Sequence, residues 1–217
     1  MAAKKGTVKP ADVAAPALTR LVPTQQRSRE RFERILQCAA EIMAEKGSEA
    51  FRMSDIVERS GIAFGSLYQY FPDKTAIIGT LAERYNAIGR ECVRRDLSTV
   101  TSIADLHPAL CRIVDSYYRM FIDAPVMRDI WQATQVDRAL QTLDEADGAY
   151  LSGLLAGVLR QVAPAAARPG GVDAFAQLTM TLIAAAVRQA ITLPSREARR
   201  SLTLFKRLLP RDLAALT

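Results

Sequence analysis

From residue 27 onward the chain reads as a succession of helical stripes. Phe32, Ile35, Leu36, Ala39, Ile42 and Met43 recur at helical spacing, which predicts a helix over 27–46 with Gly47 as its stop. The next stretch, RMSDIVERSGIAFGSLYQYF (52–71), divides at Gly61 into two very short helices. Helices below about 12 residues are marginal in water, so neighbours must hold these two. Ile56, Val57, Leu67 and Phe71 supply the inward anchors. A longer helix is predicted over 73–97, carrying Ile77, Ile78, Leu81, Tyr85, Ile88 and Cys92. Beyond a Ser/Thr-rich link at 98–102, Leu106, Leu110, Ile113, Val114, Tyr117 and Phe121 form another stripe. Pro125 starts the helix that holds Trp131, and a further helix covers 140–162 up to Pro164 and the Pro169-Gly170-Gly171 turn. Two final helices are expected over 172–192 and 195–216, the latter carrying Leu202, Phe205, Leu208, Leu209 and Leu213. No strand candidate exceeds a few residues and no internal repeat is visible, so the fold class is all-α.

Composition narrows the possibilities. The 217 residues are 49% hydrophobic, enough for a packed core, and mean hydropathy is +0.02. No run of about 18 apolar residues occurs, so no membrane span is expected. The first 26 residues are rich in Ala, Pro, Lys and Thr without periodicity and are read as a disordered basic arm. Asp12 and two prolines interrupt them before a signal-peptide hydrophobic region can form. Net charge is +6, and residues 1–34 hold eight basic groups against three acidic ones. Most of the surplus therefore flanks the short hairpin, where an arm can grip phosphate or simply solubilise the chain. Cys38, Cys92 and Cys111 are odd in number and lack CxxC spacing, which argues against disulfides and zinc. Each falls on an apolar helical face, so buried thiols are expected, with a redox switch at Cys92 or Cys111 as a competing reading.

The hairpin carries the chemistry. Phe64, Gly65, Ser66, Tyr68 and Gln69 are left facing outward or near a helix start once the anchors are turned inward. Gly65 and Ser66 permit close approach of a duplex, Tyr68 and Tyr70 offer hydroxyls to phosphate, and Gln69 offers an amide to a base edge. Asp73 is placed to cap the following helix, and Lys74 lies beside its free amides, a setting for phosphate. An ordinary helical hairpin in which the tyrosines merely pack has the same spacing.

The segment GIAFGSLYQYFPDK (61–74) resembles the recognition segment of the TetR family of bacterial transcription regulators. The matching positions are Gly61, Ile62, Gly65-Ser66-Leu67-Tyr68, Tyr70, Phe71 and Lys74, and the run before them is similar to the family's first two helices. Ala63 and Arg52 stand where the family often has a hydroxyl residue. The resemblance implies an N-terminal three-helix helix-turn-helix DNA-binding domain followed by a larger helical ligand-binding and dimerisation domain. The expected division is an arm at 1–26, a DNA-binding domain at 27–89 with its motif at 52–71, and an effector-binding and dimerisation domain at 90–217. Arg27, Arg29, Arg52, Tyr68, Tyr70 and Lys74 are assigned to phosphates, and Ser54, Phe64, Gly65, Ser66 and Gln69 to bases. The family binds a small effector among its middle helices, which directs attention to Tyr85, Ile88, Cys92, Leu110, Val114, Tyr117, Phe121, Trp131, Tyr150 and Phe175. It dimerises through its last two helices, where Ala185 and Ala186 keep one helix thin and Leu182, Leu202, Phe205 and Leu209 add apolar surface.

Catalysis finds little support. His107 is the single histidine, and GxSxG, HExxH and Walker segments are absent. Asp144, Glu145 and Asp147 read as acids gathered at a helix start. The expected protein is a cytoplasmic homodimeric repressor of a palindromic operator in double-stranded DNA, without cofactor or metal, released by a small apolar or amphipathic effector. A helical binding or scaffolding protein without DNA activity is the alternative.

Overall fold

The computed structural model describes residues 23–164 and 170–212. Most of the basic arm, the turn residue Pro169, and the tail 213–217 that was expected to extend the last helix lie outside the described residues. Among the described residues there are nine helices and no strand: α1 (Gln26–Ala50), α2 (Met53–Ser60), α3 (Phe64–Tyr70), α4 (Lys74–Leu97), α5 (Ile103–Asp123), α6 (Val126–Thr134), α7 (Arg138–Val162), α8 (Gly171–Ala190) and α9 (Ser195–Leu208). The all-α expectation holds.

Helix ends follow local chemistry. Gly47 breaks the α1 ladder with φ 79°, and the chain resumes one more turn before burying Phe51 completely. Asp73 caps α4 by accepting the Ala76 amide at 2.8 Å. Asp137 caps α7 by accepting the amides of Ala139 and Leu140 at 2.9 and 3.2 Å. The last helix stops at Leu208, well short of the expected 216. Pro210 has no amide to donate and forces the residue before it out of the helical region, as Leu209 shows with ψ 144°.

Two apolar cores are built from these helices. The first centres on Ile35, Leu36, Ile42, Met43, Ile56, Leu67, Phe71 and Ile77, with Phe32 stacked on Phe71 at 5.0 Å between centroids. Val126, Ile130 and Ala133 of α6 and Leu140 and Leu143 of α7 complete it. The second joins Val93 and Leu97 of α4 to α5, α7, α8 and α9 through residues such as Leu106, Ile113, Leu155, Ile183 and Val187. Helix α4 thus serves both cores, one at each end. Leu110 and Val114, expected at an effector site, are fully buried in the second core. Leu202 and Leu209, expected at a dimer interface, belong to it as well. Each lies on the face its helix turns toward its neighbours, so burial inside the chain consumes its apolar surface.

Candidate nucleic-acid interface and internal cavity

Gly61 takes the left-handed conformation, φ 68°, and its amide reaches the Val57 carbonyl at 3.0 Å, which ends α2 and turns the chain into α3. Ala63 offers no side-chain cap to α3. The seven-residue helix is held from below by Leu67, Tyr70 and the following Phe71, all buried. Its opposite side exposes Phe64, Gly65, Tyr68 and Gln69, with Ser66 at the margin. The Phe64 and Tyr68 rings stack at 6.4 Å and stand 48% and 41% exposed. Arg52 is exposed just ahead of α2, and Ser54 is half-buried in its first turn. Arg27 and Arg29 are exposed on the opening turns of α1. Lys74 is half-buried, its ammonium donating to the Glu49 carbonyl at 3.4 Å. Arg59 grips Glu45 with two bonds of 2.7 and 2.6 Å, fastening α2 to α1 and drawing the Glu45 carboxyl below its ordinary range.

Tyr70 departs from its expected place among the phosphate contacts. Its ring is 2% exposed, packs edge-on to Phe32 at 5.8 Å, and its hydroxyl shares a 2.7 Å hydrogen bond with Ser28 Oγ. Position 70 lies three residues after Leu67 and therefore shares its inward face. Tyr70 ties α3 to the start of α1.

Behind this surface lies a cavity of about 1040 Å³, walled by α4 to α8. Tyr85, Cys92, Tyr117, Phe121 and Trp131 line it as expected, joined by Met120, Met127 and Met180. Ile88 does not, being turned to solvent on α4. Tyr150 lies outside it too, its ring under the Arg90 guanidinium and its hydroxyl accepting from Arg94 at 2.8 Å. Phe175 packs against the second core.

The charged groups of the cavity were misread from sequence. Asp144 and Asp147 are not at the helix start, which Asp137 caps, but well inside α7 and facing inward. Asp144 accepts from Arg188 of α8 at 2.9 and 3.1 Å. Asp147 accepts from Arg90 at 2.5 Å, and Arg90 also donates to Glu83 at 2.8 Å. Burial pushes the Asp147 carboxyl up to about 6, because a guanidinium shared with Glu83 offsets only part of the lost hydration. Burial likewise raises the phenols of Tyr117 and Tyr85, keeping both as O–H groups. The 144/147 spacing, inside a helix whose leucines share that side, and an arginine within the apolar run of α8 were the available signals.

His107 Nε2 lies 2.9 Å from the Lys206 carbonyl and joins α5 to α9, while Cys111 Sγ lies 3.8 Å from its Nδ1. Cys38 is buried, whereas Cys92 and Cys111 are only half-buried, against expectation. Burial raises the thiols of Cys38 and Cys111, which disfavours thiolate. Among the described residues no His, Cys, Asp and Glu cluster could hold a metal ion, and no helix is long and apolar enough to cross a membrane.

The class this fold defines is a helix-turn-helix head continuous with a helical body that carries a cavity open on one side. The chain belongs to the TetR family: residues 35–81 match the model for bacterial regulatory proteins of the tetR family, and residues 104–217 match the tetracyclin repressor-like C-terminal domain. Among relatives, it is 45% identical over 53 residues to the uncharacterized HTH-type transcriptional regulator YvdT of Bacillus subtilis, covering 24% of this chain and 27% of that one. It is 30% identical over 132 residues to the HTH-type transcriptional repressor KstR of Rhodococcus jostii, covering 55% and 62%. The chain thus spans less than two thirds of the length of these relatives. A TetR-family regulator from Pectobacterium atrosepticum superposes with TM-score 0.65 at 17% identity, over 86% of this chain and 96% of that one. The regulator FadR from Bacillus subtilis, solved in complex with stearoyl-CoA, gives 0.62 at 17% identity over 85% and 97%. At such identities the solved structures speak for the fold.

Proposed function

We propose that this protein is a sequence-specific, homodimeric DNA-binding transcription regulator, a cytoplasmic repressor released by a small effector, and that it acts by binding and not by catalysis. The observation that carries the reading is α3. It spends one side on the core and leaves Phe64, Gly65, Tyr68 and Gln69 uncovered on the other, as a major-groove probe requires. Residues 27–89 form the reading unit and 90–217 the effector and pairing unit in this proposal. Family membership and the KstR relatives, named as repressors, support repression. The stearoyl-CoA complex of FadR supports an effector within the body.

The cavity is coupled to the head through two helices. Helix α4 begins beside the reader at Lys74 and supplies Tyr85 and Cys92 to the cavity. Helix α6 places Ile130 in the head's core and Trp131 in the cavity wall. Thr75 additionally donates to Asp137 at 3.0 Å, linking the start of α4 to the start of α7. A ligand that fits one disposition of α4 and α6 better than another shifts the spacing of two readers across a dimer.

Selection of duplexes from a random library, followed by binding titrations across salt concentrations, tests the reading. Enrichment of a palindromic motif is expected. Binding with a steep salt slope and no enriched motif would reduce the protein to a generic phosphate binder. Tyr68→Phe is expected to weaken binding roughly equally on all enriched sequences, by about fivefold for one lost phosphate hydrogen bond.

A further inference from the structure

Two nitrogen donors in the cavity wall have no partner. Nε1 of Trp131 and Nε of Arg188 are both shut off from solvent and neither meets an acceptor. The Arg188 guanidinium lies over the Trp131 ring, 5.4 Å from its centroid, with the Tyr117 phenol beside it. Both residues line the same cavity from different helices, α6 and α8. Buried N–H groups without acceptors are rare in folded chains. Two together, on side chains that border a cavity, mark a place where an acceptor arrives with a ligand as the stacked indole and guanidinium part.

The charge of that acceptor is restricted by its surroundings. Arg188 already gives Nη2 to both oxygens of Asp144, and Arg90 is divided between Glu83 and Asp147. Neither arginine retains uncompensated positive charge. Glu145 lines the same cavity from an exposed position and has no ion pair among those of the described residues. A carboxylate or phosphate head beside Arg188 would therefore meet the Asp144 carboxylate that already holds this guanidinium, with no unpaired cation among the described lining residues. Much of the rest of the wall is aromatic and thioether (Tyr85, Tyr117, Met120, Phe121, Met127 and Met180), with neutral polar groups such as Asn86, Ser116, Thr134 and Gln177 among them. At about 1040 Å³ the space matches or exceeds that of an ordinary drug-sized ligand.

We infer that the cavity takes an uncharged, largely apolar molecule that presents a carbonyl-type oxygen to Trp131 Nε1–H and Arg188 Nε–H, and that it discriminates against carboxylates. This rests on the effector reading above and specifies the chemistry of that site.

Trp131 is the only tryptophan in the chain, so its fluorescence reports this site alone. The test titrates the free, full-length protein with three ten-carbon probes below their micellar concentrations: 2-decanone, sodium decanoate and decyltrimethylammonium. 2-Decanone is expected to bind at least about tenfold more tightly than either ion and to shift Trp131 emission. Asp144→Asn frees the Arg188 charge without changing side-chain size, and is expected to raise the ratio of decanoate to ketone affinity about tenfold. Trp131→Phe, read by calorimetry, is expected to weaken the ketone about fivefold through loss of one donor. Decanoate or the ammonium binding as tightly as the ketone overturns the inference, as does a ketone that fails to bind or binds without a Trp131 response. None of these readouts uses DNA. If 2-decanone binds but leaves operator affinity unchanged, the ligand class stands and the effector role fails. If the enriched operator is released by decanoate instead, the regulator stands and the ligand class fails.

Discussion

One carboxylate oxygen of Asp105 collects the amide and hydroxyl of both Thr101 and Ser102, at 2.9 to 3.1 Å, where α5 begins. These bonds hold its carboxyl down at about 2, against an ordinary 3.8. Asp147 lies at the other extreme, raised to about 6 by burial. The two therefore tilt stability in opposite directions. A depressed group contributes stability that is complete above its unfolded value and lost as pH falls toward its folded one. Asp105→Asn is accordingly expected to lower the urea midpoint at pH 7, with the gap to wild type closing between about pH 4 and pH 2. A raised carboxyl favours the fold while protonated and loses that contribution as pH climbs through about 6. Asp147→Asn is expected to match wild type near pH 4 and to exceed it at pH 7, by roughly 1–3 kcal/mol. Urea titrations at a series of pH values check both signs, and parallel slopes for the two variants would refute the assignment. Neither residue declared this role in the sequence. Asp105 lies just past the Ser/Thr-rich link at 98–102, without a stripe position of its own, and Asp147 looked like a dipole acid until its helix was found to start nine residues earlier.

At the scale of elements, α3 presents Phe64, Gly65, Ser66, Tyr68 and Gln69 with no Lys, Arg, Asp or Glu anywhere in FGSLYQY. It lacks the bidentate arginine that most often reads guanine, so in the proposed complex base reading would fall to the Gln69 amide and to apolar contact from Phe64. The C5-methyl of thymine is the apolar feature of the major groove. Replacing thymine by uracil at the contacted positions of the enriched operator is expected to weaken binding about fourfold per methyl, the worth of one buried methyl-sized group. Phe64→Ala is expected to weaken binding to the thymine operator and to erase the thymine–uracil difference. Equal binding to both duplexes by the wild type would remove Phe64 from the base-reading set. Most of this element was legible beforehand, because the Gly61 turn, the anchors Leu67 and Phe71 and the outward Phe64 and Tyr68 follow from spacing alone. Tyr70 was not, since a tyrosine that buries its ring and bonds its hydroxyl inside reads the same as one reaching outward. The cavity was half legible for a similar reason. Periodicity gives the inward face of each helix, as for Tyr85 and Tyr117, but does not say whether that face meets a neighbour, as at Leu110, or empty space.

The whole molecule leaves apolar surface that its own fold does not cover. Leu178 and Leu182 on α8 and Leu204 and Leu208 on α9 are 48% to 81% exposed, each pair spaced by one helical turn. Leu202 and Leu209, the leucines expected there, are instead spent on the core, and their helix turns 204 and 208 outward in their place. Of the expected interface residues, Leu182 and Ala185 remain exposed and Ala186 and Phe205 half-buried. In the proposed homodimer a two-fold pairing of α8 and α9 would cover this surface twice over, once from each protomer, and would set two copies of α3 on one duplex. Covering a largely exposed leucine is worth about 1–2 kcal/mol, and four per protomer make a hydrophobic centre adequate for a stable dimer. Leu182→Glu introduces an unpaired charge on both sides of such an interface. Sedimentation equilibrium is expected to show the wild type as a dimer and this variant as a monomer at the same micromolar concentration. Helical circular dichroism and 2-decanone binding should be retained, because position 182 belongs to neither core and does not line the cavity. Operator affinity should fall by about a hundredfold or more, as a lone reader loses the gain in effective concentration that a tethered second one provides. A Leu182→Glu protein that stays dimeric would place the pairing surface elsewhere, and a monomer with undiminished operator affinity would show that one α3 suffices.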